Sequence, residues 1–304
     1  MAEHEFEELD ERFRACVRQS EKVRQLFGGC RWAEGPVYVP AGRYLLWSDI
    51  PNDRVMRWDE TDDRVSVFCQ PANYANGHTL DRHGRVVRCE HGSRSVTRTE
   101  HDGRVTTLAS HYHGNRLNSP NDVIVKSDGS IWFTDPTYGI DTDFEGHIST
   151  PEIGASNVYR IDPHTGECEI AAADFVRPNG LAFSPDEKRI YIVDSGVTHV
   201  PNGPRHIRVF KLSNDHRLEG GEVFASCTAG MFDGIRVDSA GRLWAGAADG
   251  VHCFSPDGTL LGKVLTPEPV ANVTFGGPQM NMLFMCATTS LYAVRLPVNG
   301  ARTF

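Results

Sequence analysis

Alternating apolar and polar positions run through this chain, and they recur in pairs. Val123-Ile124-Val125 leads into the polar turn Ser127-Asp128-Gly129 and returns through Ile131-Trp132-Phe133. Two β-rich runs joined by a short Asp-Gly turn predict a hairpin. The unit appears six times. Each copy opens on a polar residue followed by a short run: Glu34-Gly-Pro-Val-Tyr, Asn76-Gly-His-Thr-Leu, Asn121-Asp-Val-Ile-Val, Asn179-Gly-Leu-Ala-Phe, Asp233-Gly-Ile-Arg-Val and Asn272-Val-Thr-Phe. A second run completes it, as in Tyr44–Asp49, Arg85–Glu90, Ile131–Asp135 and Arg189–Asp194. Third strands are predicted at a constant offset, from Val55–Trp58 to Leu291–Val294, and most precede a polar turn and a fourth strand. Repeats at intervals of roughly 40–60 residues, with four strands each and few helices, predict an all-β, six-bladed β-propeller.

The two ends of the chain complete this picture. Phe6, Leu9, Phe13, Cys16 and Val17 fall at near-helical spacing. They predict a short N-terminal helix, an extension over residues 1–22 that lies on one face of a single propeller domain spanning 23–304. The last repeat supplies only three strands, and Val23–Phe27 is expected to add the fourth and join the ring. Pro136–Ala155 and Gly196–Arg205 interrupt blades three and four with Gly and Pro and are expected to loop over one face.

Composition narrows the function. Against 31 basic residues stand 40 acidic ones, a net charge of −9, which argues against a nucleic-acid partner. No apolar run approaches the ~18–20 residues of a membrane span, so no membrane partner is expected. The acidic Met1–Asp10 segment lacks a charged-then-apolar leader, so the chain as it stands is expected in the cytoplasm, or in the periplasm if a leader was removed. Eight scattered cysteines without a C-x-x-C pair are expected to be structural thiols. His111-Tyr-His113 has no third ligand in view and reads as a surface loop. The absence of a G-x-S-x-G elbow and of a dinucleotide fingerprint argues against a serine hydrolase and an NAD enzyme. Oligomeric state is not legible.

The first strand of each blade lines the channel of a propeller. The repeat therefore aligns Glu34, Asn76, Asn121, Asn179, Asp233 and Asn272 around one axis. Singly, an Asn or Asp before Gly is an ordinary turn residue. Six at one register predict oxygens converging on a hard divalent cation in the central channel, Ca²⁺ first, with Mg²⁺, Mn²⁺ or Zn²⁺ as alternatives. Trp32-Ala-Glu-Gly-Pro36, Arg116-Leu-Asn-Ser-Pro-Asn-Asp122, Trp132-Phe-Thr-Asp-Pro136, Arg177-Pro-Asn-Gly-Leu181, Asp233–Asp238 and Ala271–Gly277 carry a resemblance. In that order and spacing they resemble the senescence marker protein-30, gluconolactonase and luciferin-regenerating-enzyme-like family, nearest its bacterial gluconolactonases, from about Phe27 onward. The resemblance implies one catalytic divalent metal held by Glu34, Asn121, Asn179 and Asp233, with Asn76 and Asn272 facing the pocket.

Such a site suits opening the ester ring of a sugar lactone, glucono-1,5-lactone to gluconate. The metal would polarise the carbonyl, with Asp233 as general base or, alternatively, as nucleophile. Candidate substrate contacts are Arg116 and Asn118 in the loop before Asn121, Asn76, and His78 on the same side of its strand. Asp135 is either a pocket carboxylate or an inter-blade hydrogen-bond acceptor. A same-scaffold hydrolase of another lactone or an organophosphorus ester is one alternative; a non-catalytic ligand- or protein-binding propeller is another.

Overall fold

In a computed structural model that describes residues 5–301, six antiparallel sheets are arranged around a channel. Blade one comprises Ala33–Val39, Tyr44–Asp49, Arg54–Asp59 and Val65–Cys69. Blades two, three and four follow the same up-and-down order, with inner strands Ala75–Leu80, Val123–Val125 and Pro178–Phe183. Ile235–Val237 and Val270–Gly276 are the inner strands of blades five and six. Arg24–Gly28 pairs antiparallel with Ser290–Arg295, so the N-terminal segment closes blade six as expected.

The expected N-terminal helix is not formed. Phe6–Glu8 is instead a fifth, outermost strand of blade five, pairing Phe6 with Val264 and Glu8 with Gly262. A single 3₁₀ turn, Glu11–Ala15, follows; it is capped by Asp10, whose carboxylate accepts from Arg12 N at 2.9 Å. Phe6, Phe13, Cys16 and Val17 are buried in the core of blades five and six, whereas Leu9 is 50% exposed. The unpaired edge of blade five explains the difference. A short isolated helix is marginal, while strand addition satisfies an open row of backbone donors and acceptors. Phe13 then packs on Gly262, where a Cβ would lie 2.4 Å from its ring.

Strand alternation sends neighbouring residues into different inter-blade cores. Trp132 packs between blades three and four and Phe133 between two and three, where it stacks on Tyr159 at 5.3 Å. At the end of the channel away from the ring, Asp81 and Asp238 hold two of the first hairpin turns. Each accepts backbone N–H groups within its turn and pairs with the arginine four residues on, Arg85 or Arg242, at 2.7 Å. All eight cysteines are free thiols, and no described helix is long and apolar enough to cross a membrane.

Candidate active site

The six residues aligned by the repeat stand at one end of the inner strands, and all are buried. Four are followed by glycine, and the structure gives that glycine a job other than turning. A Cβ on Gly180 would lie 2.3 Å from the Asp233 carbonyl oxygen, and one on Gly35, at φ +51°, 1.9 Å from the Asn76 carbonyl oxygen. Each inner strand is thus drawn against the next where the polar residues emerge. Their side chains are joined as well. Asn76 Nδ2 donates to Asn121 Oδ1 at 2.8 Å, Asn121 Nδ2 to Asn179 Oδ1 at 2.7 Å, and Asn272 Nδ2 to Glu34 Oε2 at 2.9 Å.

Electrostatically the ring is one-sided. Burial pushes the Glu34 carboxyl up to about 8, against hydrogen bonds from Asn272 and Gly35 N. Burial, then the charges of Glu34, Glu145 and Asp122, push Asp233 well up, and the neighbouring Asn179 amide offsets only part of that. Nothing cationic among the described residues is close enough to pair with either carboxylate. Asn76 Oδ1 is buried without a hydrogen-bond donor. A largely buried carboxylate pair with no counter-ion, beside amide oxygens, is the donor set of a hard cation. Among the described residues no cluster of three or more His, Cys, Asp or Glu could hold a metal. Any cation here would therefore depend on the amide oxygens.

A second repeat of acids lies behind the ring. The second strands of blades one to four end in Asp49, Glu90, Asp135 and Asp194, all buried. Asp49 accepts Arg31 N at 2.8 Å, Asp135 accepts Asn118 N at 2.8 Å and Asp194 accepts Val176 N at 3.0 Å. Glu90 accepts from the Asn73 side chain at 3.1 Å. In every case the gripped residue lies three positions before a ring residue: Glu34, Asn76, Asn121 or Asn179. These acids brace the entry of each inner strand. The signal was present in the hairpin alignment, as a carboxylate in four of six second runs.

Sequence comparison places this arrangement. A family model described as the SMP-30/Gluconolactonase/LRE-like region matches residues 32–289. The chain belongs to that family. A gluconolactonase from Zymomonas mobilis is 31% identical over 313 residues, covering 95% of this chain and 85% of its own. The solved structure of a gluconolactonase from Xanthomonas campestris matches with a TM-score of 0.89 at 37% identity, covering 96% and 94% of the two chains. A 6-deoxy-6-sulfogluconolactonase from Pseudomonas putida is 26% identical over 289 residues, 92% of this chain and 88% of its own.

In this member of the gluconolactonase family, both insertions cover the ring end of the channel. They are tied together by Tyr138 Oη and Thr198 Oγ1 at 3.0 Å and by Asp141 and His199 at 2.9 Å. The first also reaches blade one, where the Arg31 guanidinium lies 5.1 Å from the Phe144 ring centre, and blade two, where Tyr74 meets His147 edge-on. Two residues that the sequence reading missed come with this cover. His91 is buried with Nε2 3.3 Å from Asn76 Nδ2, and its Nδ1 donates to the Glu145 carbonyl oxygen at 3.0 Å. Burial holds its pKa down at about 4, so it is a neutral acceptor behind the ring. Glu145 is half-buried in the first insertion; burial and Asp141 push it up to about 7, and its charge reaches both ring carboxylates. A cavity of about 340 Å³ opens over Asp233, lined by Trp32, Val197, Arg205, Met231 and Ala271 among others.

The candidate substrate residues are placed unevenly. Asn76 stands in the ring. Arg116 lies half-buried in a small hairpin, His111–Tyr112 with Asn115–Arg116, its Nη2 donating to Ser93 O at 3.2 Å. Asn118 is sealed, with Nδ2 donating to Asp135 O and Ala155 O. Asp135 is equally sealed and braces the loop of its own blade. His78 is buried below the ring, Nδ1 2.8 Å from Gly35 O, and burial holds its pKa down at about 4. As the structure stands, Asn118, Asp135 and His78 hold backbone in place and do not line the open pocket.

Proposed function

We propose that the chain is a metal-dependent hydrolase that opens the ring of a sugar lactone, taking glucono-1,5-lactone to gluconate. The observation that carries this reading is the pair of buried, unpaired carboxylates Glu34 and Asp233 within a ring completed by four carboxamides. Glu34, Asn121, Asn179 and Asp233 would hold the ion, Ca²⁺ suiting the mixed acid and amide set and Mg²⁺, Mn²⁺ or Zn²⁺ being the alternatives. A bound divalent cation would polarise the lactone carbonyl and supply the positive charge that the ring lacks. Burial and the neighbouring carboxylates push the Asp233 carboxyl well up, and a cation beside it would offset that and favour its ionised form as a base. Asp233 accepts the proton of the water that adds to the carbonyl carbon. The bond to the ring oxygen then breaks, Asp233 returns the proton to that oxygen, and the new carboxylic acid ionises in solvent. The cavity over Asp233 falls within the size range of small-ligand pockets. Gluconolactonase relatives support the substrate class.

Acid release from glucono-1,5-lactone, followed by pH-stat, tests the reading. Turnover is expected well above the spontaneous rate, with chelation returning it to that rate and added divalent ion restoring it. Acceleration that survives exhaustive chelation would remove the cation from the reading. No acceleration with any of the four ions would remove the lactone.

A further inference from the structure

A further cavity lies away from the ring. It has a volume of about 730 Å³ and lies at the opposite mouth of the channel, where all six inner strands end. Its inner-strand residues lie two to four positions along from the ring, from Thr274 after Asn272 to Leu80 after Asn76, or roughly 7–13 Å. Its wall is largely apolar, with Val37, Leu80, Ile124, Phe183, Phe275 and Met280 contributing from five blades. Blade five contributes Arg236 beside Val237.

Arg236 is held in place by one nitrogen only. Its Nη1 donates to Ile235 O at 2.7 Å and faces the buried Asp122 carboxylate at 3.4 Å. Among the described residues Nε and Nη2 have no acceptor, and the side chain is only 16% exposed. The remaining donors are unmatched by the described residues and open to the cavity, an edge that can take a carboxylate. Arg43 stands at the rim, paired with Glu60 at 3.4 Å.

We infer that this mouth is a binding site for an apolar organic anion, a carboxylate on a hydrocarbon body, with the head group on Arg236 and the tail along the apolar wall. Such a ligand matches both features of the cavity: bidentate acceptance from the free edge of the guanidinium, and apolar burial within a volume typical of small-molecule sites. A polyhydroxy sugar acid matches only the first, which separates this site from the ring end.

Calorimetric titration of the full chain with octanoate tests the inference. One saturable site is expected, with octanol at least tenfold weaker, octylammonium silent, and gluconate unable to displace octanoate. Arg236→Met, which keeps an apolar stem, should weaken octanoate at least tenfold. Because that change leaves Asp122 without its partner, Leu80→Trp provides a second variant that fills the cavity from another blade, and it should abolish binding while lactone turnover persists. Three results would overturn the inference. The first is no saturable binding, the second is binding unchanged in both variants, and the third is displacement by gluconate.

Discussion

Asp233→Asn is expected to lower kcat/KM for glucono-1,5-lactone by at least about 10³-fold while making the metal-free protein more stable. The two effects have one cause. Asp233 is buried beside Glu34 and is further raised by Glu145 and Asp122, so its charge is unwelcome until a cation arrives. Asparagine keeps the shape and one oxygen, relieves the like-charge crowding and removes the base. Loss of a general base alone costs roughly 10²–10⁴-fold, and loss of a charged ligand from a hard-cation site adds to it. Each kcal/mol of relief should raise the melting temperature of the metal-free protein by about 2–4 °C. Divalent ion should then stabilise the natural chain more than the variant, since stabilisation by a ligand follows its affinity for the folded state. Thermal melts with and without ion, alongside the lactone assay, read both quantities. A variant that keeps its activity removes Asp233 as base or nucleophile. A variant that loses activity and is also less stable without metal would show that the Asp233 charge is already compensated, against the cation reading.

The sequence made the propeller legible because its signal is repeated. Six hairpins at one spacing constrain each other, and the third strand of each blade fell where the offset put it. The N-terminal segment was misread because its apolar spacing fits both a helix and a strand followed by a turn. What decides between them is the open edge of blade five, more than 250 residues away in Val264. The ring was legible by the same repetition. Its neighbours were less so: His91 and Glu145 sit outside the repeat, and only the fold of the first insertion brings them to the channel. Asp135 takes the second of its two readings, as a hydrogen-bond acceptor, though within its own blade; Asn118 and His78 are the reverse case. Strand parity and loop position pointed them at substrate, but buried backbone N–H and C=O groups claimed their side chains first. The bracing acids could have been found by aligning the ends of the second runs as closely as the starts of the first.

The brace also makes a measurable difference to stability. Asp135→Asn is expected to stabilise the protein above neutral pH by up to about 4 kcal/mol, and to change little near pH 4. Burial pushes the Asp135 carboxyl from its ordinary 3.8 up to about 7. An acid with a raised folded value favours folding while it stays protonated. That contribution is complete below about pH 4, where the unfolded chain is protonated too, and is lost as pH rises toward and through 7. The span between the two values corresponds to about 4 kcal/mol. Geometry agrees with a neutral carboxyl. Oδ2 accepts Asn118 N, while Oδ1 has no partner and lies among two other buried oxygens without donors, Asn118 Oδ1 and Asn157 Oδ1 on the paired strand. A proton on Oδ1 would give one of them a donor, and the Nδ2 of asparagine would do so at every pH. Asp135→Ala removes the acceptor as well as the charge. Near pH 5 it should cost about 2–4 kcal/mol, from the stranded Asn118 N–H and the lost packing. By releasing the entry to Asn121 it should also cut kcat/KM about tenfold, which the asparagine variant should not. Denaturant melts of the natural chain and the two variants from pH 4 to 8 provide the check. A stability difference between the natural chain and the Asp135→Asn variant that stays flat across that range would mean the carboxylate is ionised throughout and its unpartnered oxygen is met by water.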